Sequence, residues 1–247
     1  SNNTYYGINI EADKNTLTGN ITANNPYGIL VANSDNNVLI GNNSSNNTYC
    51  GICISSYSDY NTLENNICDN NSVGIELLEG SWFNTITNNT SSNNGFCGLY
   101  LDDSHYNILT GNILENNDNY GIYLSYSYAN DIYNNYFNNT HNAYDDFMNS
   151  WNTAPTLGTN IVGGPYLGGN YWSDYTGGDM YRGPNQDQPG SDWIGDIPYP
   201  ILGGVNRDRY PLTAPDGHPL PDLDISPSDI SFLPAPPLTL GSPIVIS

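Results

Sequence analysis

The chain has 247 residues and a formal net charge of −21, because 25 Asp and Glu stand against only four Lys and Arg. Such an acidic surface repels phosphate backbones, so nucleic-acid binding is excluded. No apolar run approaches the roughly 20 residues of a membrane-spanning helix, and no membrane insertion is expected.

The first element along the chain is a short phrase that recurs. It reads YYGINI at residues 5–10 and returns in five later copies, each built on a glycine. Apolar residues occupy the first and third positions after the glycine, which is the alternation of a strand with one buried face. A fixed period of this length indicates stacked structural units. The glycines lie 21 to 24 residues apart: Gly7, Gly28, Gly51, Gly74, Gly98 and Gly121.

Two further segments complete each unit, and both end in Asn. One reads Asn-x-apolar-x-x-Asn, as at residues 15–20 and 107–112, and the other closes on an Asn pair such as Asn93 and Asn94. Asn tolerates left-handed backbone angles, and its amide bonds the backbone of a bend. Stacked units place equivalent Asn about 4.8 Å apart, so we predict amide ladders along the axis.

Three strands per unit predict an all-β fold, a right-handed parallel β-helix of about six rungs over residues 1–140. A leucine-rich repeat has a similar period, but it requires a denser Leu pattern than these Asn-rich units offer. The β-helix is therefore the favoured architecture.

Four cysteines lie in the rungs, namely Cys50, Cys53, Cys68 and Cys97. They are too few for a disulfide scaffold in a chain of this length. The first two form a C-x-x-C spacing, but no βαβ pattern of a redox motif surrounds it. Ordinary packing is the prediction, although the sequence leaves the role of the thiols open.

Two acids in the rungs are weak catalytic candidates. Glycoside hydrolysis requires two carboxylates about 5 to 9.5 Å apart. Glu79 and Asp103 each lie five residues past the glycine of their rung, so stacking would bring them near each other. The favoured interpretation is that they are solvated surface acids and that the protein is not an enzyme.

The composition changes after Thr140. Residues 141–213 are rich in Gly, Pro and Trp, and we predict that they cap the open end of the β-helix, where unpaired strands would otherwise be exposed. Carboxylates on a flexible loop provide the hard oxygen ligands that suit Ca²⁺, the one cofactor that the sequence suggests. The candidate ligands are Asp179, Asp187, Asp192 and Asp196.

The closing motifs carry a family resemblance. GTNIVGGPYLGGNYWSDYTGGD (residues 158–179) and IGDIPYPILGGVNRDRYPL (residues 194–212) resemble the closing segment of NosD-like right-handed β-helix proteins, which are abundant on archaeal cell surfaces, especially those of methanogens. The resemblance covers about residues 1–213 and implies an extracellular location. The NosD name is associated with copper delivery, but the His and Met residues stand at no ligand spacing, so no copper site is expected. They are His105, His141, His218, Met148 and Met180.

A Pro-rich linker, residues 214–221, leads to residues 222–247, which resemble the first strand of a CARDB-type adhesion domain. The segment is too short to close a β-sandwich. The chain also begins inside a rung, since residues 1–7 repeat residues 45–51 at all but one position. Strand pairing at either end would produce a homo-oligomer or a filament. The candidate assembly residues are Asp222, Leu223, Ile225, Ile230, Phe232, Leu240, Ile244 and Ile246.

Among many Asn-x-Ser/Thr sequons, four are predicted to share one outer corner and to accept glycans: Asn2, Asn46, Asn70 and Asn138. Together these patterns predict a non-enzymatic extracellular structural protein of an archaeal envelope, S-layer, sheath or surface filament. One alternative is a carbohydrate-binding or carbohydrate-cleaving protein that uses the face with Glu79 and Asp103. The other is a passive spacer in a longer adhesin.

Overall fold

The computed structural model describes residues 3–214. These residues form short β-strands and turns, and they contain no helix long and apolar enough to cross a membrane. The CARDB-like segment with all its candidate assembly residues, almost all of the predicted linker, His218 and the sequon at Asn2 lie outside the described residues.

The described residues coil into three walls of parallel strands, which confirms the predicted all-β parallel β-helix. The first wall has seven strands: β1 (Tyr6–Ile10), β4 (Tyr27–Ala32), β7 (Cys50–Ser55), β9 (Val73–Leu77), β12 (Cys97–Asp102), β15 (Tyr120–Ser125) and β18 (His141–Asp145). The second has six: β2 (Thr16–Thr18), β5 (Val38–Ile40), β8 (Thr62–Glu64), β10 (Thr85–Thr87), β13 (Ile108–Thr110) and β16 (Asp131–Tyr133).

The third wall is the least regular, because Ile67 joins it through single bridges rather than through a strand. Its strands are β3 (Ile21–Thr22), β6 (Asn43–Ser44), β11 (Thr90–Ser92), β14 (Ile113–Glu115), β17 (Tyr136–Asn138) and β21 (Tyr171–Trp172). The remaining strands form antiparallel pairs near the C-terminal end of the coil: β19 (Thr156–Leu157) with β20 (Tyr166–Leu167), β22 (Tyr181–Arg182) with β23 (Gln188–Pro189), and β24 (Tyr199–Pro200) with β25 (Arg207–Asp208).

The interior consists of columns of aliphatic side chains that stack in register from rung to rung. Leu39, Leu63 and Ile86 pair directly across β5, β8 and β10, and each is fully buried. Burial of one such side chain stabilises a fold by about 1.5–3 kcal/mol. The apolar alternation in each rung therefore supplies the main driving force for stacking.

The predicted Asn ladders are present and run along all three corners. Asn66 illustrates the pattern, since its backbone N–H and its side-chain amide both donate to Oδ1 of Asn89 at 2.9 Å. Asn89 in turn donates to Oδ1 of Asn112 at 3.0 Å. The first column contains Asn15, Asn37, Asn61, Asn84, Asn107 and Asn130, the second Asn20, Asn42, Asn66, Asn89, Asn112 and Asn135, and the third Asn25, Asn47, Asn71, Asn94, Asn117 and Asn139.

Each Asn pair divides two tasks between its members. Asn93 is exposed and adopts a left-handed backbone with φ of 57°, whereas Asn94 is fully buried and belongs to the ladder. Oδ1 of Asn94 accepts the Asn71 N–H, and its Nδ2 donates to the Cys68 carbonyl and to Asn117 Oδ1.

We expect Asn94→Ala to lower the free energy of unfolding by about 2 kcal/mol, because it leaves buried backbone groups without partners. Asn93→Gly is the matched control, since glycine adopts the same backbone angles readily, and it should change stability by less than about 0.5 kcal/mol. Urea denaturation of both variants measures the difference. Equal losses would show that the ladder contributes nothing specific.

The coil extends beyond Thr140, into the segment that the sequence predicts as a cap. Strand β18 extends the first wall, Ser150 bridges Asp131 in the second, and β21 extends the third. The ladders also continue, through Asn149, Asn170 and Asn142. Their separations from the preceding ladder Asn are 19, 35 and 3 residues, so the regular spacing that revealed the other rungs is lost.

All three ladders end on a carboxylate. Asn149 donates its side-chain amide to Asp145 Oδ1 at 2.8 Å, and Asn142 donates to Asp174 Oδ1 at 2.7 Å. The backbone N–H of Asn170 donates to Asp208 Oδ2 at 2.6 Å. An ionised carboxylate accepts hydrogen bonds but has no amide to donate further.

Candidate functional site

Asp208 is a buried carboxylate that the sequence analysis missed. Besides Asn170, its oxygens accept the indole N–H of Trp172 at 2.9 Å and the backbone N–H of Tyr210 at 3.0 Å. Burial raises the pKa of Asp208 to about 7, although these donors partly offset the effect. Asp145 has a similar environment with the Trp151 indole at 2.8 Å, and burial raises its pKa too. The signal for Asp208 was its place in the closing motif RDRYPL.

Glu79 and Asp103 lie at corresponding corners of adjacent rungs, and both have left-handed backbones. Each acid has its own partner: Glu79 Oε2 accepts the Ser56 hydroxyl at 2.9 Å, and Asp103 Oδ1 lies 3.4 Å from His105 Nε2. His105 Nδ1 accepts the Tyr128 N–H, so the neutral ring carries its proton on Nε2, and burial lowers the His105 pKa. A catalytic role for the two acids stays a prediction.

The candidate calcium ligands organise their own loop. Asp179 Oδ2 accepts the Trp193 N–H at 2.7 Å, Asp192 Oδ2 accepts the Gly183 N–H at 3.0 Å, and Asp196 Oδ2 accepts the Met180 N–H at 2.7 Å. Asp187 is exposed. The structure thus shows these acids bonded to backbone amides, and the calcium site stays a prediction.

One correction concerns the sequons. Asn46 and Asn70 are exposed and lie at equivalent left-handed corners. Asn138 does not share this position, because it is half-buried in β17 opposite Glu115. The ladder interval from Asn117 to Asn139 is 22 residues instead of the preceding 23, so this rung lacks the corner residue.

Near the C-terminal end of the coil, a groove of about 420 Å³ contains both aromatic and ionisable side chains. Tyr175, Tyr199, His141 and Asp174 lie in its wall. The Tyr199 ring stacks on Trp172 at 4.2 Å, and its hydroxyl donates to Asp174. Aromatic rings combined with a few polar groups are typical of small-ligand sites.

Two thiols and a carboxylate converge on the first wall. One potential ligand atom from each of Cys50, Cys53 and Glu76 lies within 4.8 Å of the others, and among residues 3–214 no other three His, Cys, Asp or Glu side chains converge in this way. The two cysteines come from β7 and Glu76 from β9. Sequence spacing did not reveal the third member, since register between rungs brings it close.

The protein is therefore a parallel β-helix protein with a groove and a cluster of thiols and a carboxylate on its outer surface. The family model described as "Periplasmic copper-binding protein (NosD)" matches residues 1–177, and the chain belongs to this family. Sequences of curated proteins give no significant match.

Solved structures of the periplasmic alginate epimerase AlgG are similar to part of the chain. A double mutant has a TM-score of 0.53 and a single mutant 0.51, both at 27% sequence identity. The match covers 56% of this chain and 34% of the epimerase, so the chain spans about a third of that enzyme's length.

The family description implies a copper ion, and the donor set fits one. Thiolates are soft ligands that suit Cu(I), whereas a carboxylate alone would favour harder metals. Cys50 and Cys53 would hold the ion, and Glu76 lies close enough to contribute an oxygen. Two of the His residues considered in the sequence lie away from this cluster: His105 contacts Asp103 and Tyr128, and His141 lines the groove near the end of the coil.

Proposed function

We propose that this protein is a non-enzymatic β-helix outside the cytoplasm that serves as a rigid structural element of the cell surface. The observation that carries the proposal is the set of three Asn ladders that continue unbroken through every described rung. The Asn side chains at the corners are occupied by hydrogen bonds between rungs, which hold the rod together. The family is described as periplasmic and the similar epimerase is a periplasmic enzyme, and both support a location outside the cytoplasm.

The finer form of the proposal is an element of an archaeal envelope, sheath or filament that associates with copies of itself. The strong negative charge keeps such a rod solvated, while strand pairing supplies a specific contact. Electron microscopy of the native material, with mass spectrometry to define the ends of the polypeptide, tests this. Ordered polymers support the proposal, and dispersed single rods at physiological salt contradict it.

The absence of catalysis is tested separately. We expect no cleavage or epimerisation of alginate, polygalacturonate or neutral glucans, because Glu79 and Asp103 are each bonded to their own neighbour. Product formation followed by NMR spectroscopy is the measurement. Turnover that disappears in a Glu79→Gln, Asp103→Asn double variant would make the protein an enzyme.

The second candidate function is carbohydrate binding in the groove that contains Tyr175 and Tyr199. Two observations favour it, the aromatic and acidic lining and the likeness to an enzyme that acts on a polysaccharide. Calorimetric titration with oligosaccharides tests it in the wild type and in Asp174→Asn. Asp118→Asn is the control, since Asp118 lies in a turn between β14 and β15 and not in that groove.

A further inference from the structure

The outer face of the first wall carries two thiols side by side. Ile52 and Ile54 belong to the buried core, so Cys53 between them faces outward by the alternation of a strand. The Sγ atoms of Cys50 and Cys53 lie within 4.8 Å of each other, which places Cys50 on the same side. Cys68, in contrast, packs inside the coil among aliphatic side chains.

Glu76 completes the cluster from the next rung. It lies opposite Cys53 in the register of β7 and β9, and the Cys53 thiol donates to Glu76 Oε2 at 3.4 Å. Neighbouring rungs place Leu30 and Tyr100 in this column. A thiol and a carboxylate thus occupy two adjacent rungs of a column that has Leu30 on one side of them and Tyr100 on the other.

The cluster is sheltered but reachable. Cys50 and Cys53 are only 1% and 3% exposed, and Glu76 is half-buried. A groove of about 380 Å³ opens over Cys53 and Glu76, with Tyr27 and Leu30 in its wall. Glu11 and Glu79 also line this groove, so a small cation has an acidic path to Cys53 and Glu76.

The three groups lie together in a mostly buried position. Polar groups held in such surroundings are costly unless a partner compensates them, and a cation held between the two sulfur atoms and the Glu76 carboxylate compensates all three.

We infer that Cys50 and Cys53 bind one Cu(I) ion as thiolates, with Glu76 as a third, oxygen ligand. Soft sulfur ligands select Cu(I), and two or three ligands satisfy it, whereas a closed structural Zn²⁺ site has four protein ligands and three groups converge here among residues 3–214. On binding, each thiol releases its proton to solvent. Copper enters and leaves as Cu(I), so no oxidant or reductant is consumed.

The test is an anaerobic titration of the reduced full chain with Cu(I) against a chromophoric Cu(I) chelator. We expect one Cu(I) per chain. The double variant Cys50→Ser, Cys53→Ser should lose affinity for Cu(I) by about 100-fold or more. Glu76→Gln should cost about 10-fold. Cys97→Ser is the matched control, because Cys97 lies in the same column as Cys50 two rungs away and should bind as the wild type does.

A second measurement does not depend on the variants folding. X-ray absorption of the copper-loaded wild type should show two sulfur neighbours. The inference is wrong if copper has only nitrogen or oxygen neighbours, if the double variant binds Cu(I) as tightly as the wild type, or if the site prefers Zn²⁺. It is also wrong if the protein isolated from its native source without reductant has lost two hydrogens in mass through a Cys50 to Cys53 disulfide.

Discussion

Raising the pH from 5 to 8 is expected to lower the free energy of unfolding by about 3 kcal/mol through Asp208 alone. Its pKa is about 7 in the folded protein, whereas an unfolded Asp titrates near 3.9. Between these values the folded state holds a proton that the unfolded state has lost. The stabilisation is therefore complete below about pH 4 and disappears as the pH rises through 7.

Urea denaturation at pH 5, 6, 7 and 8 checks this expectation. Burial also raises the pKa of Asp145 and of Glu76, so their contributions have the same sign. Asp208→Asn should flatten the pH dependence. Infrared spectroscopy of the wild type provides a check that needs no variant, since a protonated carboxylic acid should be visible at pH 5 and lost at pH 9. Stability that stays flat or rises from pH 5 to 8 would contradict the assignment.

Gly74→Ala is expected to destabilise the protein by at least about 3 kcal/mol. A Cβ atom at this position would lie 1.7 Å from Ser91 Oγ and 2.7 Å from the Gly98 carbonyl oxygen. The Ser91 hydroxyl donates to that same carbonyl, so moving it away breaks this hydrogen bond. Backbone of the next rung must shift, which disturbs the parallel register of β9 and β12.

Gly95→Ala is the matched control in the same region. Its Cβ atom would meet nothing closer than the Asn71 carbonyl at 3.9 Å, and the backbone is not left-handed. We expect a change within about 0.5 kcal/mol, or a slight gain from reduced freedom of the unfolded chain. Thermal and urea denaturation compare the two variants. Similar stability for both would mean that the rungs can separate locally at little cost.

Much of the fold could be predicted from the sequence because every rung repeats the same pattern of glycine, buried aliphatic residues and Asn. The glycine at each rung start, the buried Ile and Leu columns and the Asn corners recur at a nearly constant interval, so one solution satisfies all of them. The sequence did not predict the part of the coil beyond Thr140, because a long insertion separates ladder residues such as Asn135 and Asn170. Periodicity identifies a structure only where the period is kept.

The site was less predictable, because its members meet through register between rungs. Glu76 is 23 residues from Cys53, and nothing local in the sequence marks it as a partner. Some corners also departed from expectation, since Tyr60, Phe83 and Tyr106 adopt left-handed backbones that Asn or Gly usually adopt. Their rings stack at 5.2 and 5.1 Å along the axis, which offsets the backbone strain but is invisible in any single rung.

The carboxylates that end the Asn ladders give the rod a direction and a stopping point. Each Asn accepts from the rung before it and donates to the rung after it, so a further Asn rung fits onto any other in the same way. Asp145, Asp174 and Asp208 break this pattern, since their carboxylates accept hydrogen bonds from amide N–H groups and have no amide to donate to a further rung. Whole rungs can thus be inserted or deleted in the middle of the coil while the carboxylates at its end stay in place. Duplication of one repeat in the gene would lengthen the rod by one rung.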